Sequence, residues 1–346
     1  MRIVIATDAW SPQVNGVVTT LRQTREELGH LGHSVLMMTP HGRRSIPCPG
    51  YPEIRLALLQ SDEVAETLQM FAPDAIHIAT EGPVGLAVRH HCVRWGLPFT
   101  TAYHTRFPEY LRARAPIPVG WTSALLRRFH SRATRVMAPT WSTQQMLESR
   151  GFGDVAVWSR GVDTRLFCAD EPCQYDLTRP IWVNVGRVAA EKNIEAFLNL
   201  PLPGSKVVIG DGPDRERLMR KWPDCHFPGY RFGEDLASML AGADAFVFPS
   251  KTDTFGLVML EAMACGLPVA AFPVTGPVDV VRNGVTGSLH PDLEQACLQA
   301  LSLNPAHSRA YAESRSWRAA TEQFLAHLAP IGKPRPATPQ MTRLAS

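Results

Sequence analysis

Two carboxylates, Asp253 and Glu261, stand with seven residues between them in the run 248–271, FPSKTDTFGLVMLEAMACGLPVAA. Phe255-Gly256-Leu257, between them, opens a stretch of good helix formers. The start of a helix carries unpaired N–H groups and the positive end of the peptide dipole, which suits a phosphate. The run therefore pairs a phosphate cradle with two acceptors for hydroxyls. A nucleotide sugar has that order of groups: a diphosphate in the middle, ribose at one end and a hexose at the other. A βαβ unit with two solvated acids accounts for the same residues, and the run alone leaves both readings open.

Other residues could join this chemistry. Arg187 and Lys192 follow the strand-like PIWVNV. Two cations there can clamp a diphosphate and stabilise a leaving group as it gains charge; the plainer alternative is a pair of surface charges. His104 ends LPFTTAYHT, at the carboxyl end of a strand, where ligands of open α/β sheets bind. A single histidine is more often structural. Asn15-Gly16 reads as a glycine turn, and Glu81 in TEGPVG follows the preceding strand. No Asp-x-Asp occurs, and no His/Cys group has metal-ligand spacing. Neutralisation of a diphosphate is therefore assigned to Arg187, Lys192 and the helix start at 255–257, with no metal and no cofactor expected.

The elements that must position these residues are short buried strands alternating with amphipathic helices. ADAFVF (243–248) is a strand stopped by Pro249-Ser250, Thr254 is the expected N-cap, and Gly266 is the expected left-handed C-cap. In the first half the strands are RIVIATD (2–8), HSVLMMTP (33–40), PDAIHI (73–78), LPFTTAYHT (97–105) and RVMAPT (135–140). DEPCQYDLTRP (170–180) reads as the linker region, after which the pattern restarts at 180. SKVVIGDGPDRERL (205–218) is strand, turn and helix, and CHFPGY (225–230) is a short strand. The fold class is α/β, with two Rossmann-like domains. The expected divisions are 1–167, 168–307, C-terminal helices over 308–330 packing back toward the first domain, and a disordered tail at 331–346.

With 346 residues, 45% hydrophobic and 19% charged, the chain suits two globular domains. No apolar run reaches the ~18 residues of a membrane helix. MRIVIATDAW reads as a first strand and lacks the features of a signal peptide. The seven Cys are scattered without framework spacing, which favours reduced thiols in the cytoplasm.

Net charge is only +3, but it is unevenly placed. Residues 106–135 hold seven Arg and one acid, Glu109, interleaved with Phe107, Tyr110, Trp121, Leu125, Leu126 and Phe129. An amphipathic helix over 119–132 with Arg beside Trp and Phe suits an anionic lipid surface. Nucleic acid and a plain solvated helix are the rival readings.

The run "FG…EAMA.G.PV" with its two carboxylates resembles the retaining glycosyltransferases of family four, the glycogen-synthase-like group. The TDTFG form is similar to the branch of lipid glucosyl-, glucuronosyl-, sulfoquinovosyl- and mannosyltransferases. Asp253 stands where Glu is more usual. The resemblance covers about 1–330 and is strongest over 180–272. It implies a GT-B fold, two Rossmann-like domains facing across a cleft, with a UDP- or GDP-sugar donor on the second and the acceptor on the first. It implies diphosphate binding by Arg187 and Lys192 in "VGR…EKN", and ribose binding by Glu261. Asp253 would hold the transferred sugar, and His104 would orient sugar and acceptor. Gly16 would approach the donor, and Tyr230 and Arg231 would lie at the base, held largely by backbone groups. "RGVD" (160–163) would mark the crossover between domains, and the last helix would cross back to the first. It implies retention without a covalent enzyme nucleophile. It also favours a membrane surface for 106–135, no nucleic acid, and a cytoplasmic enzyme on the inner face of the plasma membrane.

Three other functions fit these residues. An epimerase of the same architecture would need no acceptor. A soluble transferase would act on a small or oligosaccharide acceptor without lipid. A nucleotide-sugar or nucleic-acid binding module would bind without turnover.

Overall fold

The structure, a computed structural model, describes residues 1–48, 51–57, 59, 61–104 and 119–332. The first half is a six-stranded sheet in the order β2-β1-β5-β6-β7-β8, built from β1 (Arg2–Ala6), β2 (Ser34–Met38), β5 (Ala75–Ile78), β6 (Thr100–Ala102), β7 (Arg135–Ala138) and β8 (Val155–Val157). All its neighbours are parallel. A small antiparallel hairpin, β3 (Ser45–Cys48) with β4 (Tyr51–Ala57), stands beside it. Its helices are α1 (Gly16–His30), α2 (Ser61–Phe71), α3 (Pro83–Trp95), α4 (Val119–His130) and α5 (Trp141–Ser149).

Parallel strands are covered on both faces, so β1 is apolar and buried from Ile3 to Ala6, after the exposed Arg2. Its side chains alternate: Val4 and Ala6 face a core with Ile78, Val88 and Phe99, while Ile3 and Ile5 face Leu21, Leu28, Trp158 and Phe324.

The second half repeats the plan with strand order β11-β10-β9-β12-β13-β14. The strands are β9 (Ile181–Val185), β10 (Ser205–Ile209), β11 (His226–Gly229), β12 (Ala245–Phe248), β13 (Val269–Ala271) and β14 (Gly287–Leu289). A 3-10 turn (Ala190–Lys192) precedes α6 (Ile194–Leu198). Then come α7 (Arg215–Lys221), α8 (Gly233–Ala241), α9 (Leu257–Ala264), α10 (Pro277–Val280), α11 (Leu293–Leu301), α12 (Pro305–Glu313) and α13 (Trp317–His327). The order reverses between β9 and β12 here, and between β1 and β5 in the first half. Those are the crevices where open α/β sheets take ligands.

The chain passes between the halves twice, side by side. Residues after β8 run past Arg315–Trp317: Val162 N donates to Arg315 O at 2.9 Å, and a Cβ at Gly161 would lie 2.3 Å from Trp317 N. Val162 and Phe167 already belong to the second core. The linker region is not loose, since Tyr175 Oη donates to Met239 O at 2.8 Å and Cys173 N to Ser238 O at 2.9 Å.

The two C-terminal helices divide. In α12, Tyr311 and Ala312 stay in the second core, and Arg309 ties the helix to Phe167 O (2.7 Å) and Ala264 O (2.6 Å). Helix α13 crosses to the first half, where Phe324 is fully buried and His327 Nε2 meets Val157 O at 2.9 Å. Ile331 N still donates to Asp74 O; residues 333–346 lie outside the described residues.

Candidate active site

The second half contributes its two switch-point loops. Past β9 comes Arg187, half-buried, and then Lys192 in the 3-10 turn. Two glycines of the 210–213 turn press on this loop: a Cβ at Gly210 would lie 1.9 Å from Gly186 O, and one at Gly212 would lie 2.4 Å from Val188 O. Any side chain at either position would push the loop away. Asn193, in left-handed conformation, donates from Nδ2 to Pro249 O at 3.0 Å. Thr252 Oγ1 donates to Glu191 O at 3.2 Å. The β9 and β12 loops are thereby stitched together, and this brings Lys192 Nζ to 2.6 Å from Asp253 Oδ1. Asp253 Oδ2 is buried and has no hydrogen-bond partner among the described residues. One carboxylate oxygen thus neutralises the lysine while the other remains an acceptor.

Helix α9 starts differently from the sequence expectation. Gly256, at φ +82°, is its N-cap residue. A Cβ there would lie 2.8 Å from both Met259 Cε and Phe248 Cζ, so glycine is required twice, by conformation and by space. Thr254 is no cap: its hydroxyl leaves the helix and donates to His104 O at 2.6 Å, joining the two halves. Gly266 is left-handed as expected, with Leu267 N returning to Ala262 O at 3.0 Å. Glu261 sits in the second turn, and its carboxyl group makes no hydrogen bond or ion pair among the described residues. Burial pushes its carboxyl up to about 7. Phe255 is buried in the second core, and Leu257 packs against that core.

Across the cleft, α1 begins at Gly16. Asn15 is its N-cap rather than part of a glycine turn, accepting from Val17 N and Val18 N at 3.0 Å each. A Cβ on Gly16 would come within 3.4 Å of Leu257 Cδ1. The N-termini of α1 and α9 therefore approach each other, and two positive helix ends converge on one space.

His104 follows β6. Its Nδ1 is 3.1 Å from Arg160 Nη2, and its Nε2 is buried with no hydrogen-bond partner among the described residues. Sequence reasoning placed Arg160 only in a crossover phrase. Its nearness to His104 joins positions 56 apart in the chain, which no local pattern carries. Asp8 was also missed. It lies two residues past β1 at the first switch point, where its carboxylate accepts from Thr80 Oγ1 (2.9 Å), Val84 N (2.9 Å) and Gly85 N (3.3 Å), holding the start of α3. Glu81 turns instead to His130 Nε2, at 3.3 Å.

Tyr230 and Arg231 lie past β11. The Tyr230 ring is 42% exposed and stacks on Phe232, itself 55% exposed, with centroids 5.6 Å apart and 21° between planes. Arg231 Nη1 donates to Tyr230 O. Phe232 is the residue just before α8, and no local pattern in the sequence marks this exposed pair. The structure therefore brings Lys192, Asp253 and the start of α9 together on the second half, with Arg187 on the same loop as Lys192, and sets Gly16 and His104 against them.

A second tie crosses between the halves beside this site. Asp279 of α10 accepts from Ser142 N at 3.0 Å and from Ser142 Oγ, and so places a carboxylate at the N-terminus of α5.

Two family models match the chain, "Glycosyltransferase Family 4" over residues 14–166 and "Glycosyl transferases group 1" over 179–303. A GDP-mannose-dependent alpha-mannosyltransferase of Mycobacterium tuberculosis is 30% identical over 94% of this chain and 96% of its own length. An alpha-monoglucosyldiacylglycerol synthase of Streptococcus pneumoniae is 25% identical over 94% of this chain and 83% of its own. Among solved structures, sucrose-phosphate synthase from Thermosynechococcus elongatus superposes with a TM-score of 0.73 at 20% identity, covering 94% of this chain and 97% of that one. With a Rossmann-like sheet in each half and both family models satisfied, the chain belongs to the group 1, family 4 glycosyltransferases of the GT-B fold.

Proposed function

We propose that the protein transfers a hexose, with retention, from GDP-mannose or a related UDP-sugar to a lipid acceptor such as diacylglycerol at a membrane surface. One observation carries the donor site: the Lys192–Asp253 pair sits between the β9 loop and the start of α9, opposite the start of α1. That space is electropositive on both sides yet keeps a carboxylate oxygen for a sugar hydroxyl. The C1–phosphate bond of the donor breaks as the acceptor oxygen bonds to C1, and the acceptor's proton passes to the departing phosphate. Arg187, Lys192 and the Leu257 and Val258 amides stabilise the charge that develops there, with no metal required. Glu261 takes the ribose hydroxyls, and Asp253 takes a hydroxyl of the transferred sugar. The Tyr230–Phe232 stack offers an extended apolar face that suits a purine, in keeping with the donor named for the M. tuberculosis relative.

The acceptor reading rests on the first half and on the diacylglycerol named for the S. pneumoniae relative. Helix α4 buries Leu126 and Phe129 but leaves Trp121 80% and Leu125 69% exposed beside the exposed Arg127 and Arg128. Helix α3 adds exposed Leu86, Val93 and Trp95. Arg89 binds the two helices by donating to Phe129 O (2.6 Å) and Arg128 O (2.9 Å). Such a face suits peripheral attachment to an anionic leaflet, the inner face of the plasma membrane in our reading. No helix among the described residues is long and apolar enough to cross a membrane. Residues 106–118 of the predicted basic segment lie outside the described residues.

The test is incubation with GDP-mannose, UDP-glucose and UDP-glucuronate, each with diacylglycerol vesicles, followed by mass analysis of the lipids. A hexosyl lipid from GDP-mannose is the expected product. Conversion of a donor without acceptor would favour the epimerase, and transfer only to water-soluble sugars would overturn the lipid reading.

A further inference from the structure

Arg160 is 4% exposed, and its guanidinium is consumed within the first half. Nη1 donates to Trp158 O at 2.5 Å and to Ser159 O at 3.0 Å. The plane lies over the fully buried Trp158 ring, 4.5 Å from its centroid. Nη2 points to His104 Nδ1 at 3.1 Å. Trp158 also meets the His104 ring edge-on, at 5.7 Å and 70°. The imidazole is thus held by a donor on one atom and an aromatic ring on one side, while Thr254 of the other half holds its backbone carbonyl.

A guanidinium has five N–H donors and no acceptor. Its contact with Nδ1 is a hydrogen bond only when Nδ1 keeps its lone pair. The ring proton must then sit on Nε2, because the partner of one nitrogen sets the state of the other. Protonating both nitrogens would point an N–H at a cation in a site withdrawn from water. The charged and titratable groups facing the ring, Arg160 and His77, both oppose a second proton, and burial opposes it more strongly still. Burial pulls Arg160 itself down to about 9, so it remains a cation at neutral pH.

We propose that Arg160 is a positioning residue that locks His104 as the neutral Nε2–H tautomer, making His104 a fixed hydrogen-bond donor toward an oxygen of the donor or acceptor rather than a base. With its proton already in place, Nε2 has no lone pair with which to take one from the acceptor hydroxyl. Deprotonation of the acceptor then falls to the departing phosphate. This assignment rests on the glycosyl-transfer reading for its catalytic meaning, but the tautomer itself does not depend on substrate.

The experiment is ¹⁵N NMR of the full chain with labelled histidine, read without ligand from pH 5 to 8 and assigned with a His104→Gln variant. Wild type should show His104 as Nε2–H with no titration across that range; an Nδ1–H signature, or a His104 titration near pH 6–7, overturns the proposal. Arg160→Met should allow the other tautomer and bring in a titration, whereas Arg160→Lys, which keeps a cationic donor, should retain Nε2–H. In activity, Arg160→Met should lower kcat by roughly 10- to 100-fold, less than outright loss of a transition-state donor. The donor KM should stay near wild type, and a new acid limb should appear near pH 6. An unchanged pH profile in a folded Arg160→Met variant counts against the proposal. Should Arg160→Met not fold, the wild-type spectrum still decides. An Nε2–H spectrum in a protein that transfers no sugar would defeat the functional reading and leave the tautomer assignment standing.

Discussion

Glu261→Gln offers a test whose size changes with pH. The folded protein moves this carboxyl from the ordinary 4.5 to about 7 by burial alone. The unfolded chain loses the proton near 4.5 and the folded chain near 7. Between those values the folded state binds more protons, so stability falls as pH rises through the window and the full cost is present above 7. An interval of about 2.5 pH units corresponds to roughly 3 kcal/mol at 1.36 per unit. The side chain is only partly withdrawn from solvent, which reduces this to about 1–2 kcal/mol. Gln has nearly the same shape and cannot ionise. In the ligand-free protein it should raise Tm by roughly 2–8 °C at pH 8, at 2–4 °C per kcal/mol for a domain of this size, and leave it nearly unchanged at pH 4.5. Calorimetry at the two pH values measures the difference. An equal shift at both, or a lower Tm at pH 8, would refute the argument that an unpaired carboxylate is held here. The same variant should weaken GDP-mannose binding by about tenfold in titration calorimetry, because a charged acceptor for the ribose hydroxyls becomes a neutral one. Stability lost to Glu261 in the empty enzyme would thus reappear as donor affinity.

Lys192→Ala should depress kcat on the order of 10²–10³-fold and leave Asp253 with both oxygens unpartnered; a near-wild-type rate would remove Lys192 from the site. Asp279→Ala deletes the carboxylate at the start of α5, a contact of about 1 kcal/mol, and should widen the spread between halves. A larger radius of gyration in small-angle scattering is expected, and an unchanged profile would show that Thr254 and the paired chain crossings suffice. Arg127 and Arg128 changed together to Glu should abolish flotation with anionic vesicles, since each basic residue near such a surface contributes about 1 kcal/mol. Flotation equal to wild type would return α4 to an ordinary solvated helix.

Much of the architecture was legible because parallel strands buried on both faces must be apolar throughout. ADAFVF and RIVIATD announce themselves, and helices between them follow from period and from Gly266. The failures are at short range, where tertiary partners compete with local rules. Thr254 has the chemistry of a cap, but the His104 carbonyl takes its hydroxyl, and Gly256 starts the helix because Phe248 and Met259 leave no room for a Cβ. Asn15 looked like a turn residue because Asn-Gly usually is one; here its side chain caps α1. Phe232 carries no local signal of its role, yet it faces solvent and stacks on Tyr230.

The sequence by itself determined the α/β class, the two halves and the family, and singled out Arg187, Lys192, Asp253 and Glu261 as candidates, because all of these depend on local pattern or on motifs contiguous in the chain. Only the tertiary structure decided which of them meet. Lys192 and Asp253 are 61 residues apart and become an ion pair because Asn193 and Thr252 stitch their loops. Arg160 controls His104 across 56 residues because Trp158 offers a buried face on which a guanidinium can lie. Protonation states in this site are set by burial and by partners brought together through folding, and neither is a property of any stretch of sequence.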